Sequence, residues 1–176
     1  MRNITLAIIL IICLVVPAKA DVANSAEINQ IKKSLVVAVE NSRVTDSMYI
    51  KLLPKKGKDA LTTAFVGTLE ALKAKHAWNP YNKLKYVSMA NATMKQAVAA
   101  SPQNVEIRFM RFSIQHYTPE FLGYSKNLTE DKVAIVNHYR NKTLGTDALL
   151  IRSIAKFVID SKRCTPTEVA VLKRYV

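Results

Sequence analysis

The sequence has little of what phosphate-binding loops, hydrolase motifs and β-sheets require. It contains only four glycines, and none has the spacing of a phosphate-binding loop. There is no Gly-x-Ser-x-Gly nucleophile motif and no closely spaced pair of cysteines. No Asn-Gly or Asp-Gly turn separates two alternating apolar runs, as a β-hairpin would require. These absences exclude the motif-bearing hydrolases and nucleotide-binding proteins and disfavour a sheet.

Histidines and carboxylates are also few. His76, His116 and His138 are far apart in the chain, and none is spaced with another as a helical pair of metal ligands. No two carboxylates form an evident acid–base pair. We therefore predict no catalytic residue, no metal ligand and no cofactor, and a protein that is not an enzyme. The alternative is a site whose groups converge only in the folded chain.

Acidic residues are outnumbered two to one. The chain has 26 Lys and Arg against 13 Asp and Glu, for a formal net charge of +13. A field of this sign attracts phosphates, anionic lipid headgroups or acidic polymers, whereas a solvated surface that maintains solubility is the alternative. No stretch alternates basic with aromatic residues, so nucleic acid is not the expected partner. Lysines are densest at Lys55, Lys56, Lys58, Lys73, Lys75, Lys83 and Lys85.

Residues 1–20 have the pattern of a signal peptide. Arg2 precedes the apolar run Ile4–Val16, Pro17 breaks the run, and Ala18-Lys19-Ala20 fits a cleavage site. The run is shorter than the roughly 20 residues that cross a bilayer as a helix. We therefore expect cleavage and export to the bacterial periplasm or outside the cell. A retained membrane anchor is the alternative.

Cleavage would leave residues 21–176 as a single domain without a transmembrane segment. The formal charge of +13 would fall to +11, because Arg2 and Lys19 leave with the leader. Cys13 would leave as well, so Cys164 would be the last thiol and no intramolecular disulfide could form. A lone cysteine in an exported chain is either buried and inert or paired between chains, and burial is the commoner outcome.

The stretch from Asn104 to Pro119 predicts a helix that is apolar over most of its circumference. Residues spaced by three and four define two apolar faces with a narrow polar stripe between them. Such a helix has to be covered from several sides, so we place it, at about residues 104–117, at the centre of the domain. The first face is Val105, Phe109, Phe112 and His116, the second is Ile107, Met110, Ile114 and Tyr117, and the stripe is Arg108, Arg111 and Gln115.

Capping and apolar periodicity predict helices along the rest of the chain. The clearest starts are Asp59, Asn79-Pro80 and the capping box Thr165-Pro166-Thr167-Glu168. Thr129 and Asp147 are predicted to begin two more helices, the first of which would end at Gly145. The result is an all-α domain of seven or eight helices, packed as antiparallel hairpins around the helix at about 104–117.

Two resemblances support helix-hairpin stacking. Ala90, Ala97 and the turn Ser101-Pro102-Gln103-Asn104 resemble the second half of a tetratricopeptide repeat, in which small residues seven apart precede a Pro turn. The first-helix positions of that family fall on Ala74, Ala77, Trp78 and Tyr81, of which only Tyr81 fits, so no peptide-binding residues are carried over. The mature chain is also similar to small exported helical proteins of bacteria that carry an Arg-Phe-x-Arg-Phe helix.

Arg108 and Arg111 are the candidate site residues. They lie three apart on one face of the predicted central helix and offer two forked donors to a carboxylate or a phosphate. The favoured alternative is internal: Glu70, Glu106, Glu120 or carbonyls at a helix end would satisfy them, because buried charges are normally paired within the fold.

The sequence thus leaves two functional hypotheses. The first is an exported, non-enzymatic helical scaffold or protein-interaction module, whose partner would be another envelope protein. The second is a binder of an anionic ligand such as a lipid headgroup, a cell-wall polymer or a nucleic acid, through the basic surface and Arg108 with Arg111.

Overall fold

The computed structural model describes residues 25–176, so the signal peptide predicted at residues 1–20 lies outside the described residues. The described chain forms eight α-helices and three short 3₁₀ turns, and no strand occurs between residues 25 and 176. The prediction of an all-α fold with seven or eight helices is confirmed. The helices are α1 (Ser25–Ala38), α2 (Ser42–Leu52), α3 (Ala60–His76), α4 (Pro80–Ala100), α5 (Val105–Tyr117), α6 (Leu128–Asn141), α7 (Ala148–Asp160) and α8 (Pro166–Leu172), and the 3₁₀ turns are Leu53–Lys55, Glu120–Leu122 and Lys173–Tyr175.

Side-chain caps explain where several of these helices begin. Asp59, Asn79 and Asp147 each accept a hydrogen bond from a backbone N–H in the first turn of α3, α4 and α7. Thr165 and Glu168 form the reciprocal capping box of α8. Each cap satisfies a donor that the start of a helix leaves without an intrahelical partner. These predicted starts are confirmed.

Both predicted ends of α6 are wrong. The helix begins at Leu128, one residue before Thr129, and the preceding Asn127 makes no side-chain cap bond. It ends where Lys142 adopts a left-handed conformation with φ 59°, and the Lys142 N–H bonds to carbonyls of the last turn. Glycine is the usual residue in that conformation. Gly145, which also has a positive φ, lies beyond the cap.

Helix α5 contributes to all three hydrophobic clusters of the described chain. Val105 and Phe112 belong to the cluster of α6, α7 and α8, Ile107 belongs to the cluster of α3 and α4, and Met110 packs against both that cluster and the one of α1, α2 and α3. Tyr117 is the one exposed residue of α5. The stretch is therefore helical and covered on several sides. The antiparallel order of the helices around it stays a prediction.

Helices α3 and α4 approach closely at Gly67. A Cβ atom added there would lie 2.7 Å from Met94 Sδ and 3.3 Å from Thr93 Cγ2. Both neighbours are buried, so a larger residue at this position would have no free space. The absence of a side chain at Gly67 is therefore what lets the two helices pack this closely here.

Candidate functional site

Arg108 and Arg111 both bind one buried carboxylate, that of Asp131 on α6. Arg111 is bidentate: its Nε donates to Oδ2 and its NH2 to Oδ1, each at 2.7 Å. Arg108 NH1 donates to the same Oδ1 at 2.9 Å. Asp131 is fully buried, and the two arginines are 9% and 5% exposed. The polar stripe of α5 is therefore not solvated and forms the contact between α5 and α6.

Two further acceptors complete this cluster. Arg108 NH1 donates to Glu130 Oε1 at 2.5 Å, and Arg108 Nε donates to the carbonyl of Pro102 at 2.8 Å. Burial on its own lowers the pKa of Arg108, but the hydrogen bonds to Glu130 and Asp131 outweigh it, and the net pKa is raised. The hydrogen bond from Arg108, followed by that from Asn127, lowers the pKa of Glu130 to about 2.

This arrangement supports the internal alternative for the two arginines, with different partners from those predicted. Glu70, Glu106 and Glu120 instead pair with Lys56, Lys32 and Arg163. The cavity beside Arg111 has a volume of ≈ 10 Å³, about the space that one water needs. A phosphate group is larger than that. The anion-binding role of Arg108 and Arg111 stays a prediction, and it would require Asp131 to be displaced.

The three histidines have separate local partners. His76 Nε2 lies 3.0 Å from the carbonyl oxygen of Ala38, and His138 Nδ1 lies 2.9 Å from that of Thr143. His116 accepts from Arg163 Nε at 3.3 Å, and its pKa is lowered first by burial and then by the Arg163 charge. Residues 25–176 contain no group of three or more His, Cys, Asp or Glu residues arranged to hold a metal ion.

Cys164 is partly buried, in the turn between α7 and α8. Its thiol lies 3.7 Å from the carbonyl oxygen of Val158. Burial, and then the charge of Glu168, raise the pKa of the thiol, which keeps it in its unreactive protonated form. A partly buried thiol of this kind acts as a packing residue rather than a nucleophile.

A second concave feature, much larger than the cavity beside Arg111, is an apolar groove between α1 and α7. It has a volume of ≈ 550 Å³. Helix α5 provides its floor through Phe109 and Met110, and Phe65 of α3 also lines it. We call it the α1–α7 groove; its other lining residues are Asn29, Lys32, Lys33, Leu35, Val36, Glu106, Asp147, Leu149, Leu150 and Ser153.

Large apolar side chains stand on both rims of the α1–α7 groove. Val36 on α1 is 75% exposed and Leu149 on α7 is 79% exposed. Single exposed apolar residues are common on protein surfaces, but a contiguous apolar surface with polar residues at its edge marks an interaction site. The floor and the two rims together form such a surface.

An ionic contact joins the two walls of the groove. Lys32 on α1 donates to Glu106 Oε1 at 2.8 Å and lies 3.9 Å from Asp147 Oδ2, at the start of α7. Thr146 Oγ1 donates to the same Glu106 oxygen. Lys33, one residue further along α1, has no ion pair within residues 25–176 and lies on the groove surface. The two lysines and two carboxylates that line the groove therefore balance in formal charge, and Lys33 is the one of the four without an ion pair within residues 25–176.

Sequence reasoning did not predict this groove, although a signal was present. Val36-Val37 in α1 and Leu149-Leu150 in α7 are adjacent apolar residues. Neighbouring residues on a helix point about 100° apart, so a single buried stripe cannot contain both. At least one member of each pair therefore has to lie away from the core. What the sequence could not provide was that the exposed Val36 and Leu149 line the same groove, together with Phe109 and Met110 of α5.

No helix within residues 25–176 combines the length and the hydropathy needed to cross a membrane. Comparisons of the chain with protein-family models, with curated proteins and with solved structures found no match.

Proposed function

We propose that this chain is a non-enzymatic, exported helical scaffold that binds a protein of the bacterial cell envelope in the α1–α7 groove. The observation that carries the proposal is the apolar floor of Phe109 and Met110 between the exposed rim residues Val36 and Leu149. Export rests on the signal-peptide pattern of residues 1–20. The helix-hairpin organisation and the internally paired arginines are consistent with a scaffold.

The chemistry of the groove defines its partner. An apolar floor and apolar rims select a segment that presents two or three apolar side chains on one face, as an amphipathic helix does. Lys33, which makes no ion pair within residues 25–176, can pair with an acidic residue at the edge of that segment. Burial of the Val36 and Leu149 side chains would supply the central, water-excluded contacts that dominate such interfaces.

Site-specific photocrosslinking in intact cells tests this proposal. A photoreactive amino acid replaces Val36 or Leu149, one on each rim, and the matched control carries it at Val133, an exposed apolar position on α6. We expect the same discrete adduct from both rim positions and none from position 133. Once the adduct partner has been identified, Leu149→Lys should lower its affinity by about tenfold or more.

Two results would contradict the groove hypothesis. Equal adducts from all three positions would show that the exposed residues contact neighbouring proteins without selection. An adduct that contains only a second copy of this chain would make the groove a self-association surface. Thermal unfolding of Leu149→Lys should match that of the unmodified chain, because Leu149 is exposed and its substitution leaves the core intact.

A second candidate function is the binding of an anionic ligand. Each acidic side chain from Glu27 to Glu168 is already engaged within residues 25–176, in an ion pair or, for Asp59, in a helix cap. Several exposed basic residues make no ion pair with any residue from 25 to 176, among them Lys33, Arg43, Lys51, Lys58, Lys83, Lys85 and Lys95. The uncompensated surface charge is therefore positive.

Salt dependence tests this second candidate. Binding to anionic vesicles, to an anionic cell-wall polymer or to single-stranded DNA should weaken steeply as the salt concentration rises, since each released counterion contributes to the slope. Binding that is absent, or that does not change with salt, on all three ligands would reject it. The groove proposal would be unaffected by that result.

A further inference from the structure

Two aromatic side chains project into water from the turn between α3 and α4. Trp78, the only tryptophan of the chain, is 97% exposed, and Tyr81 in the first turn of α4 is 76% exposed. Leu84, one turn further along, is 48% exposed. Tryptophan and tyrosine bury large areas when they find a partner, so two largely exposed ones three residues apart form a candidate contact surface.

Lysines flank these aromatics on both sides. The segment from Lys73 to Tyr86 contains lysines at 73, 75, 83 and 85, with Trp78 and Tyr81 between them. The two aromatics therefore lie between two pairs of lysines. Lys83 and Lys85 have no ion pair within residues 25–176, and Lys85 Nζ lies 5.8 Å from the Tyr86 ring centroid.

The end of α1 adds apolar side chains to the same end of the bundle. Lys75 Nζ donates to the carbonyl of Val39 at 2.7 Å, and His76 bonds to the carbonyl of Ala38. These contacts hold the last turn of α1 against the last turn of α3. Two exposed valines there, Val37 and Val39, lie outside the groove lining.

Negative charge at this end of the bundle is already neutralised. Lys75 pairs with Glu40 at 2.7 Å, and Lys73 pairs with Asp46. The first turn of α4 contains no acidic residue, and the helix dipole adds partial positive charge there. We call this surface, made of Trp78, Tyr81, Leu84, Lys83 and Lys85 with the neighbouring α1 valines, the α3–α4 tip.

We propose that the α3–α4 tip is a peripheral contact site for an anionic membrane surface. Tryptophan and tyrosine favour the boundary between acyl chains and headgroups, where the ring is apolar and the polar edge is wet. Lysines beside them attract anionic headgroups, and branched apolar side chains enter the acyl boundary. A nucleic acid would use the rings and lysines but would gain nothing from the valines and Leu84.

The inference rests on the second candidate function, the binding of an anionic ligand, and assigns it a location, the α3–α4 tip, and a ligand, the anionic membrane surface. It does not depend on the α1–α7 groove. A scaffold that binds its protein partner in the groove could at the same time rest on the membrane through the tip. Failure of the groove experiment would leave the tip proposal standing, and the reverse also holds.

The fluorescence of Trp78 provides the test, because the chain contains no second tryptophan. The full chain is mixed with vesicles of phosphatidylcholine alone or of an equimolar mixture with phosphatidylglycerol, with and without brominated acyl chains. We expect a blue shift and bromine quenching of Trp78 on the anionic vesicles and little change on the neutral ones. Reading the indole itself separates tip contact from any binding by residues 1–20.

Matched variants locate the contact. The double variant Lys83→Gln with Lys85→Gln should lower the affinity for anionic vesicles about 30-fold, because each lysine near the surface contributes a factor of about five. The control double variant Lys95→Gln with Lys173→Gln removes the same charge from two other exposed positions and should change the affinity for anionic vesicles much less. Leu149→Trp in a Trp78→Phe background moves the indole to the groove rim, where neither shift nor quenching is expected.

Three outcomes would overturn the proposal. The first is a Trp78 emission that stays solvent-like on anionic vesicles. The second is equal loss in the two lysine double variants, which would indicate general electrostatic adsorption. The third is a larger shift on a single-stranded oligonucleotide than on vesicles, which would make the tip a stacking platform for nucleic acid.

Discussion

Arg111 and Asp131 form a bidentate ion pair that joins α5 to α6 away from water. The Nε–Oδ2 and NH2–Oδ1 distances are both 2.7 Å, and the Asp131 side chain is fully buried. Arg108 gives the same carboxylate a third donor. Because a buried carboxylate is costly without partners, this pair restricts how α6 can pack on the polar stripe of α5.

Loss of the Asp131 carboxylate should strongly destabilise the fold. Asp131→Ala leaves two nearly buried guanidiniums short of an acceptor, and we expect a loss of about 3–5 kcal/mol in the free energy of unfolding, measured by urea denaturation. Asp160→Ala breaks the exposed Lys156–Asp160 pair and is the matched control, with an expected loss below about 0.5 kcal/mol. Similar losses for the two variants would show that the buried pair is not a stabilising contact.

Glu130 should make folding stability sensitive to acid. Its pKa is lowered from 4.5 to about 2 in the folded state, chiefly by the hydrogen bond from Arg108. A lowered pKa means that the ionised form favours folding, so this contribution is complete above pH 4.5 and is lost as the pH falls towards 2.

Urea denaturation at a series of pH values measures this effect. The stability difference between the unmodified chain and Glu130→Gln should be constant above pH 4.5 and should shrink as the pH approaches 2. Glu120→Gln is the control, because Glu120 is exposed and its contact with Arg163 is a long one of 3.7 Å. A difference between Glu130→Gln and the unmodified chain that does not change with pH would contradict the proposed contribution.

Lys56 should contribute more to the free energy of unfolding than Lys58, two residues further along the chain. Glu70 is fully buried, Lys56 Nζ lies 3.3 Å from its Oε1, and its Oε2 has no hydrogen-bond partner. Lys56→Met leaves the carboxylate without a countercharge, so we expect a loss of about 2–4 kcal/mol by chemical denaturation at neutral pH.

Two further variants separate charge pairing from simple packing. Lys58→Met, at an exposed position without an ion pair within residues 25–176, should change stability by less than about 0.5 kcal/mol. Lys56→Met with Glu70→Gln should recover much of the loss, because the buried charge is then absent. A double variant as unstable as Lys56→Met alone would mean that the lysine stabilises by packing.

Gly67→Ala should destabilise the chain although alanine favours helix. A Cβ atom at this position would lie 2.7 Å from Met94 Sδ, inside a buried contact between α3 and α4. The higher helix propensity of alanine stabilises the variant by about 1 kcal/mol, whereas overpacking destabilises it by about 1–3 kcal/mol. We therefore expect a net loss of about 1 kcal/mol in the free energy of unfolding. Met94→Val in the same chain should relieve the clash, and a double-mutant cycle without coupling would refute the contact.

Local signals in the sequence predicted the secondary structure well. A helix start depends on one side chain and a backbone donor two or three residues away, so Asp59, Asn79 and Thr165 could be read directly. The errors at α6 are also local. Lys142 adopts the left-handed conformation that glycine usually takes, and composition does not reveal such an exception.

The sequence did not predict which acidic residues pair with Arg108 and Arg111. Glu130 and Asp131 were not among the predicted partners, yet they bind Arg108 and Arg111 across 20 or more positions of the chain. The glutamates predicted as partners bind lysines or Arg163 instead. Which of several chemically equivalent carboxylates meets a guanidinium depends on how two helices are placed, and no spacing along the chain encodes that.

The sequence by itself determined the all-α class, most helix starts and the covered helix Val105–Tyr117, because these follow from capping, periodicity and apolar content within a few residues. Only the tertiary structure decided that Val36 and Leu149 line one groove, and that Trp78 and Tyr81 are exposed at the end of α3 that contacts the last turn of α1. The groove is made by helices far apart in the chain, and the tip combines consecutive helices with the end of α1. Their exposure is whatever the packing of the core leaves uncovered, and that is a property of the whole fold.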